Sequence, residues 1–156
     1  MNKKFFLLCA FLVFATVTGC KDDSNEPESI QIKSLVGTSW KFVGFFDVEE
    51  NDLKEVDRGD AGKWNYDWCY ELRFETDSTY KGAGCTNFIY GEYYADYSSS
   101  KFEIIRMGRT AGSALFDELL FLQALFIGQA FELSDGTLKL YYDDKKNYLL
   151  FNEVME

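Results

Sequence analysis

Four cysteines and a surplus of carboxylates are the residues of this sequence that could do chemistry, and no histidine stands among them. The absence of histidine excludes Ser-His-Asp and Cys-His catalysis, histidine-ligated metals and a histidine pH switch. Cys69 and Cys85 carry the most specific spacing. Between them Tyr70-Glu71-Leu72-Arg73-Phe74 alternates apolar and polar residues, Thr76-Asp77-Ser78 turns, and Thr79-Tyr80-Lys81 starts a return strand. Opposed residues on paired strands share a face. A register centred on Asp77 sets Phe74 opposite Tyr80 and Cys69 opposite Cys85. Opposed Cα atoms about 4.5–5.5 Å apart lie within disulfide range. The alternative is two separate thiols, if Gly82 and Gly84 bulge the strand and shift the register.

The carboxylates select nothing so definite. Glu71, Glu75, Glu92 and Glu103 sit in strand-like runs, and two of them could serve as glycosidase acid and base. Alternation puts such groups on the wet face, and no motif picks out a pair, so no catalytic residue is assigned and the chain is not expected to be an enzyme. Asp47, Glu49, Glu50, Asp52, Glu55, Asp57 and Asp60 crowd one stretch. Calcium wants several oxygens, but the spacing fits no calcium loop and Lys54 and Arg58 dilute the charge. This stretch reads as a solvated acidic loop, with no metal and no cofactor. Aromatics are 18% of the chain. Trp64, Tyr66 and Trp68 alternate, and Tyr93 and Tyr94 lie in a tyrosine cluster from Tyr90 to Tyr97. Exposed, these rings would bind a glycan or a protein; turned inward, they are core.

The elements that must position these residues follow from length and patterning. The chain has 156 residues, enough for one domain, with 16 Lys+Arg against 26 Asp+Glu and a net charge of −10. Nucleic acid is excluded as a partner, because phosphate binding needs a basic face. Strand-like runs recur over 40–46, 70–74, 79–81, 87–94, 101–107, 131–133, 137–142 and 147–152, with turn residues between them. This predicts a mainly β (α+β) fold, a compact antiparallel barrel-like domain. One segment, 113–127, predicts a helix with Ser113 as N-cap. Asp117, Glu118, Phe121 and Leu125 share one side of it and nearly all the rest is apolar. Such a helix covers the open end of a barrel, or else Phe121 and Leu125 form an exposed partner contact.

The N-terminus is an address. Lys3 and Lys4 precede an apolar run of thirteen residues, Phe5 to Val17, too short to span a bilayer. The run ends in Val17-Thr18-Gly19-Cys20, which resembles the lipobox of bacterial lipoproteins. The resemblance implies cleavage after Gly19 and thioether lipidation of Cys20, hence a membrane anchor. Loss of residues 1–19 removes Lys3 and Lys4 and leaves a charge of −12. Residues 20–34 form an acidic tether that holds the only proline, and residues 35–156 form the domain. The tether resembles the lysine-plus-acidic export signal of surface lipoproteins and spans roughly 20 Å as a coil. The expected location is the Gram-negative outer membrane, with surface display as an option.

A family resemblance covers about residues 35–152. Leu35-Val36-Gly37-Thr38-Ser39-Trp40 opens it, Gly84-Cys85-Thr86-Asn87-Phe88-Ile89-Tyr90-Gly91 stands at its centre, Arg109-Thr110 and Glu118 follow, and Leu138-Lys139-Leu140 closes it. This arrangement resembles the META domain family, small bacterial envelope proteins that include lipid-anchored and stress-linked members. The resemblance implies a compact β-rich fold with one helix and no established catalytic residues. Three features depart from the pattern: Thr86 between Cys85 and Asn87, no second family cysteine near Ser113, and an apparent insertion from Asp47 to Tyr66. A lipocalin-like barrel shares the opening glycine and tryptophan and is the fold alternative. The functional expectation is a non-enzymatic envelope protein that binds another protein, as a stress or assembly accessory or a protease inhibitor. The alternative is a carbohydrate or small-ligand binder that uses an aromatic patch.

Overall fold

The computed structural model describes residues 33–59 and 68–155. Cys20, Trp64 and Tyr66 lie outside them. Among the described residues nine strands and one helix follow in the order β1 (Ser39–Asp47), β2 (Asp52–Glu55), β3 (Glu71–Phe74), β4 (Thr79–Ala83), β5 (Phe88–Asp96), β6 (Lys101–Arg109), α1 (Glu118–Phe126), β7 (Ala130–Ser134), β8 (Thr137–Tyr142) and β9 (Asn147–Glu153). All described pairings are antiparallel. Strands β3 to β9 run in order, and β1 joins β3 to β9 and closes a barrel-like ring of eight strands. The expected mainly β architecture with one helix is the one observed. The ninth strand, β2, pairs with the far half of β1, Asp47 opposite Asp52. Residues 47–55 of the acidic stretch expected as a loop therefore belong to a hairpin. Asp47 Oδ1 accepts the amides of Glu49 and Glu50 at its turn, each at 2.9 Å.

Eight strands leave an interior just wide enough for side chains. Here it is filled: Trp40, Phe42, Phe74, Phe102, Phe121 and Phe151 are all fully buried. Alternation supplies them, as Leu72 and Phe74 point inward while Glu71 and Arg73 point outward. Each fully buried ring of this kind contributes about 2–3 kcal/mol. Two bulges bend the sheet round. Val43 is extra in β1 between Phe42↔Phe151 and Gly44↔Leu150, and Ile105 is extra in β6 between Tyr93↔Ile104 and Glu92↔Arg106. At Gly44 a side chain would strike β2, since a methyl there would lie 2.3 Å from the Lys54 carbonyl oxygen.

The ring is weakest between β6 and β7, where a single pair, Lys101↔Ala130, is in register. Helix α1, which connects these two strands, packs against β6, β8 and β9. It begins at Glu118, five residues later than Ser113. Phe116 has φ +54°, which breaks helical continuity, and Ser113 is held by its carbonyl, which accepts the Thr86 hydroxyl at 2.6 Å. Asp117 is the N-cap residue, and its side chain makes no cap bond. Its carboxylate accepts the Asp57 amide at 3.0 Å and Lys54 Nζ at 3.3 Å instead.

Candidate functional site

Three sets of side chains meet around α1 and on the wall beside it. The first is a buried polar knot. Glu118 and Asn87 are fully buried. Glu118 Oε1 accepts the Asn87 amide at 3.0 Å and its Nδ2 at 2.9 Å. Oε2 accepts the Thr86 amide at 3.1 Å, the Thr86 hydroxyl at 2.6 Å and the Leu115 amide at 3.3 Å. Asn87 Oδ1 in turn accepts the Gly112 amide at 2.8 Å, and Nδ2 donates to the Gly112 carbonyl at 3.1 Å. The knot fastens the β4–β5 turn, the segment after β6 and the start of α1 to one carboxylate. Gly84 makes room for it, since a methyl at 84 would lie 2.3 Å from Glu118 Oε1. Both the amide and the hydroxyl of Thr86 serve Glu118.

Beside the knot lie Cys69 and Cys85, both buried and both free thiols. The register centred on Asp77 holds: Phe74 opposes Tyr80 and Glu71 opposes Ala83. The ladder ends there because Tyr70 takes φ +60°, a costly conformation for a bulky residue. Cys69, Cys85 and Tyr70 nevertheless stay neighbours in the core, near enough to perturb one another's ionisation, and the Tyr70 hydroxyl donates to the Asp57 carbonyl at 3.3 Å. Arg58 covers this corner. Its guanidinium lies 5.6 Å over the Tyr70 ring, Nη1 donates to the Cys69 carbonyl at 2.9 Å, and Nη2 donates to the Phe42 carbonyl. Burial pushes both thiols and the Tyr70 phenol above their usual ranges, so none of the three is an activated nucleophile.

The third set is apolar and exposed. Phe121, expected as a possible binding residue, is instead core: its ring lies 4.9 Å from Phe42, 5.5 Å from Tyr70 and 6.3 Å from Phe151. The helix is turned so that Glu118, Phe121 and Leu125 face inward, and Leu119, Leu120, Phe126 and Ile127 are about half exposed. Grooves flank it on both sides, one lined by Phe45, Lys54 and Tyr142, the other by Met107 and Arg109. Tyr93 is also core rather than a binding residue. Its ring lies 4.8 Å from Phe74, and its hydroxyl donates to the Thr76 carbonyl at 2.9 Å.

Trp68 and Tyr94 are exposed, as a binding role requires. Trp68 stacks on Phe88 at 6.2 Å and 29°, and Phe88, Tyr90 and Tyr94 alternate along the outer face of β5. Tyr90, the first of the tyrosine cluster, is 59% exposed, and Phe88, 63% exposed, carries no binding expectation from the sequence although it continues the same alternation. A shallow groove lined by Ser39, Arg73, Lys81, Ala83 and Phe88 adjoins them. Among the described residues no group of three His, Cys, Asp or Glu side chains is placed to hold a metal ion.

No protein-family model matches this sequence, and neither does any curated protein. Solved structures do match. A DUF4847 family protein from Bacteroides vulgatus ATCC 8482 superimposes with a TM-score of 0.59 at 19% identity, covering 76% of this chain and 93% of that one. A protein from Burkholderia xenovorans, solved by NMR, gives a TM-score of 0.56 at 19% identity, covering 83% and 97%. At this identity the likeness establishes the fold: a compact antiparallel β domain with one helix, shared almost end to end with both neighbours.

Proposed function

We propose that this chain is a lipid-anchored bacterial envelope protein of META-like type that acts by binding a protein partner and performs no catalysis, as a stress or assembly accessory or a protease inhibitor. The observation that carries the proposal is the outer face of α1. A surface helix ordinarily hides its apolar stripe and shows its charges. This one spends its glutamate inside and shows Leu119, Leu120, Phe126 and Ile127 to solvent. Contiguous exposed apolar side chains with a polar rim mark interaction surfaces. The META-like reading is supported by the knot, in which two parts of the quoted pattern, Gly84 to Asn87 and Glu118, meet at one carboxylate.

The position of the helix argues for protein over lipid as its occupant. The chain enters the barrel near Lys33, which pairs with Glu153 at the end where β1 begins and β9 finishes. Helix α1 begins at the opposite end, against the β4–β5 turn. The apolar helix face is therefore not at the end where the chain enters the barrel. Lys54 and Arg109 beside the helix favour a partner whose apolar patch is ringed by acidic groups.

Photoreactive side chains at positions 120 and 126 of the full chain in envelope membranes test this. The same discrete protein adduct is expected from both, none from position 94, and loss of the adduct in Leu120→Asp. The outer aromatic face favours the second reading, since stacked exposed rings beside Arg73 and Lys81 suit a glycan. Absence of an adduct together with glycan-array binding abolished by Trp68→Ala would establish that reading instead. Cys20→Ala is expected to abolish processing and membrane retention; a normally processed, retained variant would reject the anchor.

A further inference from the structure

We propose that Cys69 and Cys85 are a disulfide-forming pair, whose oxidation staples the turn that binds Glu118 to the segment leading into β3. Three observations converge. The β3–β4 ladder pairs Phe74 with Tyr80 through Glu71 with Ala83 and ends there, so the two cysteines flank its end, each two residues beyond the last pair. Both cysteines are buried in the same core cluster, near enough to perturb each other's ionisation. Neither sulfur belongs to a group of three metal-ligating side chains among the described residues, which separates the pair from a metal site.

The chemistry balances simply. Each thiol gives up its proton and one electron, the sulfur–sulfur bond forms, and a low-molecular-weight disulfide takes up the two electrons and becomes two thiols by exchange through a mixed disulfide. The staple closes a loop of about 15 residues, which constrains the unfolded chain more than the folded one. It acts where the fold is otherwise held by polar contacts: Cys85 stands between Gly84, packed on Glu118, and Thr86, bonded to it.

The test is independent of the anchor and of any partner. Full-length chain in detergent is reduced, unfolded, and refolded in a mixture of reduced and oxidised glutathione. Free thiols are then blocked and the peptides mapped. A linked Cys69–Cys85 peptide is expected, with a melting temperature about 10 °C above that of the reduced protein. Adding reductant should remove the difference, and Cys69→Ala/Cys85→Ala should melt with the reduced protein and ignore reductant. If the double variant fails to fold, the comparison of wild type with and without reductant decides alone. Blocking of both cysteines in the refolded, unreduced protein, or a melting temperature indifferent to reductant, would overturn the proposal.

Discussion

Glu118 accepts five hydrogen bonds from three residues, at complete burial. Removing it leaves amides and an Asn side chain without acceptors, each unsatisfied donor being costly. Glu118→Ala is therefore expected to lose about 3 kcal/mol or more in urea unfolding, and Gly84→Ala to lose stability because its methyl collides with the same carboxylate. A variant within 0.5 kcal/mol of wild type (about the error of such measurements) would show that the knot is not holding the fold. The buried phenols set a second test at this scale. Burial pushes Tyr93 up to about 12 from its ordinary 10, and raises Tyr70 and Tyr80 as well. The folded state keeps protons that the unfolded chain releases, so the contribution is fully present below pH 10 and is lost as pH rises through 12. Ultraviolet phenolate absorbance should show these three tyrosines ionising only with cooperative alkaline unfolding. The thiols obey the same geometry: in native reduced protein, maleimide should label Cys69 and Cys85 at least about 100-fold more slowly than after unfolding, because labelling must wait for local opening.

At the scale of elements, β1 and α1 carry the closure. Strand β1 is hydrogen-bonded to β9 along one edge and to β3 and β2 along the other. Helix α1 connects β6 to β7, which share a single pair, and packs against β6, β8 and β9. Phe121 is its main plug, so Phe121→Ala should cost about 3–5 kcal/mol. It should also speed hydrogen exchange at the Phe102 and Phe131 amides, which bond across that junction to Gln129 and Ser100. Uniform acceleration over all strands would mean that the helix contributes to global stability without guarding the seam. The strands were legible because inward and outward residues alternate, as in β3 and β5. The helix was legible as an apolar run, but its first turn was not. Ser113 is a good cap residue by type, and only the pull of Thr86 on its carbonyl and the left-handed Phe116 show why the helix starts later. Strand β2 was missed because an acidic, turn-rich stretch gives no alternation; it exists because β1 offers an edge beyond the reach of β3.

At the scale of the whole molecule, the point of chain entry and the apolar helix face lie at opposite ends of the barrel. If α1 is a contact surface, its outer residues should matter for binding and little for folding. Leu120→Asp is thus expected to keep stability within about 0.5 kcal/mol of wild type, measured by urea unfolding, while losing the adduct at position 126. Greater destabilisation would mark Leu120 as part of the core.

The sequence by itself determined the local features. Its lack of histidine, its acidic charge, its alternating strands and the register of β3 on β4 are all set by residue type and spacing along a few neighbours. Tertiary structure alone decided which way the helix faces. On a helical wheel, Glu118 and Phe121 share a side that could equally be wet or dry. Five donors gathered from residues 86, 87 and 115 make burial of that carboxylate tolerable. With Glu118 inside, Phe121 becomes core and the leucines on the other side are left to solvent. A buried charge depends on partners distant in the chain, and those exist only once the chain has closed.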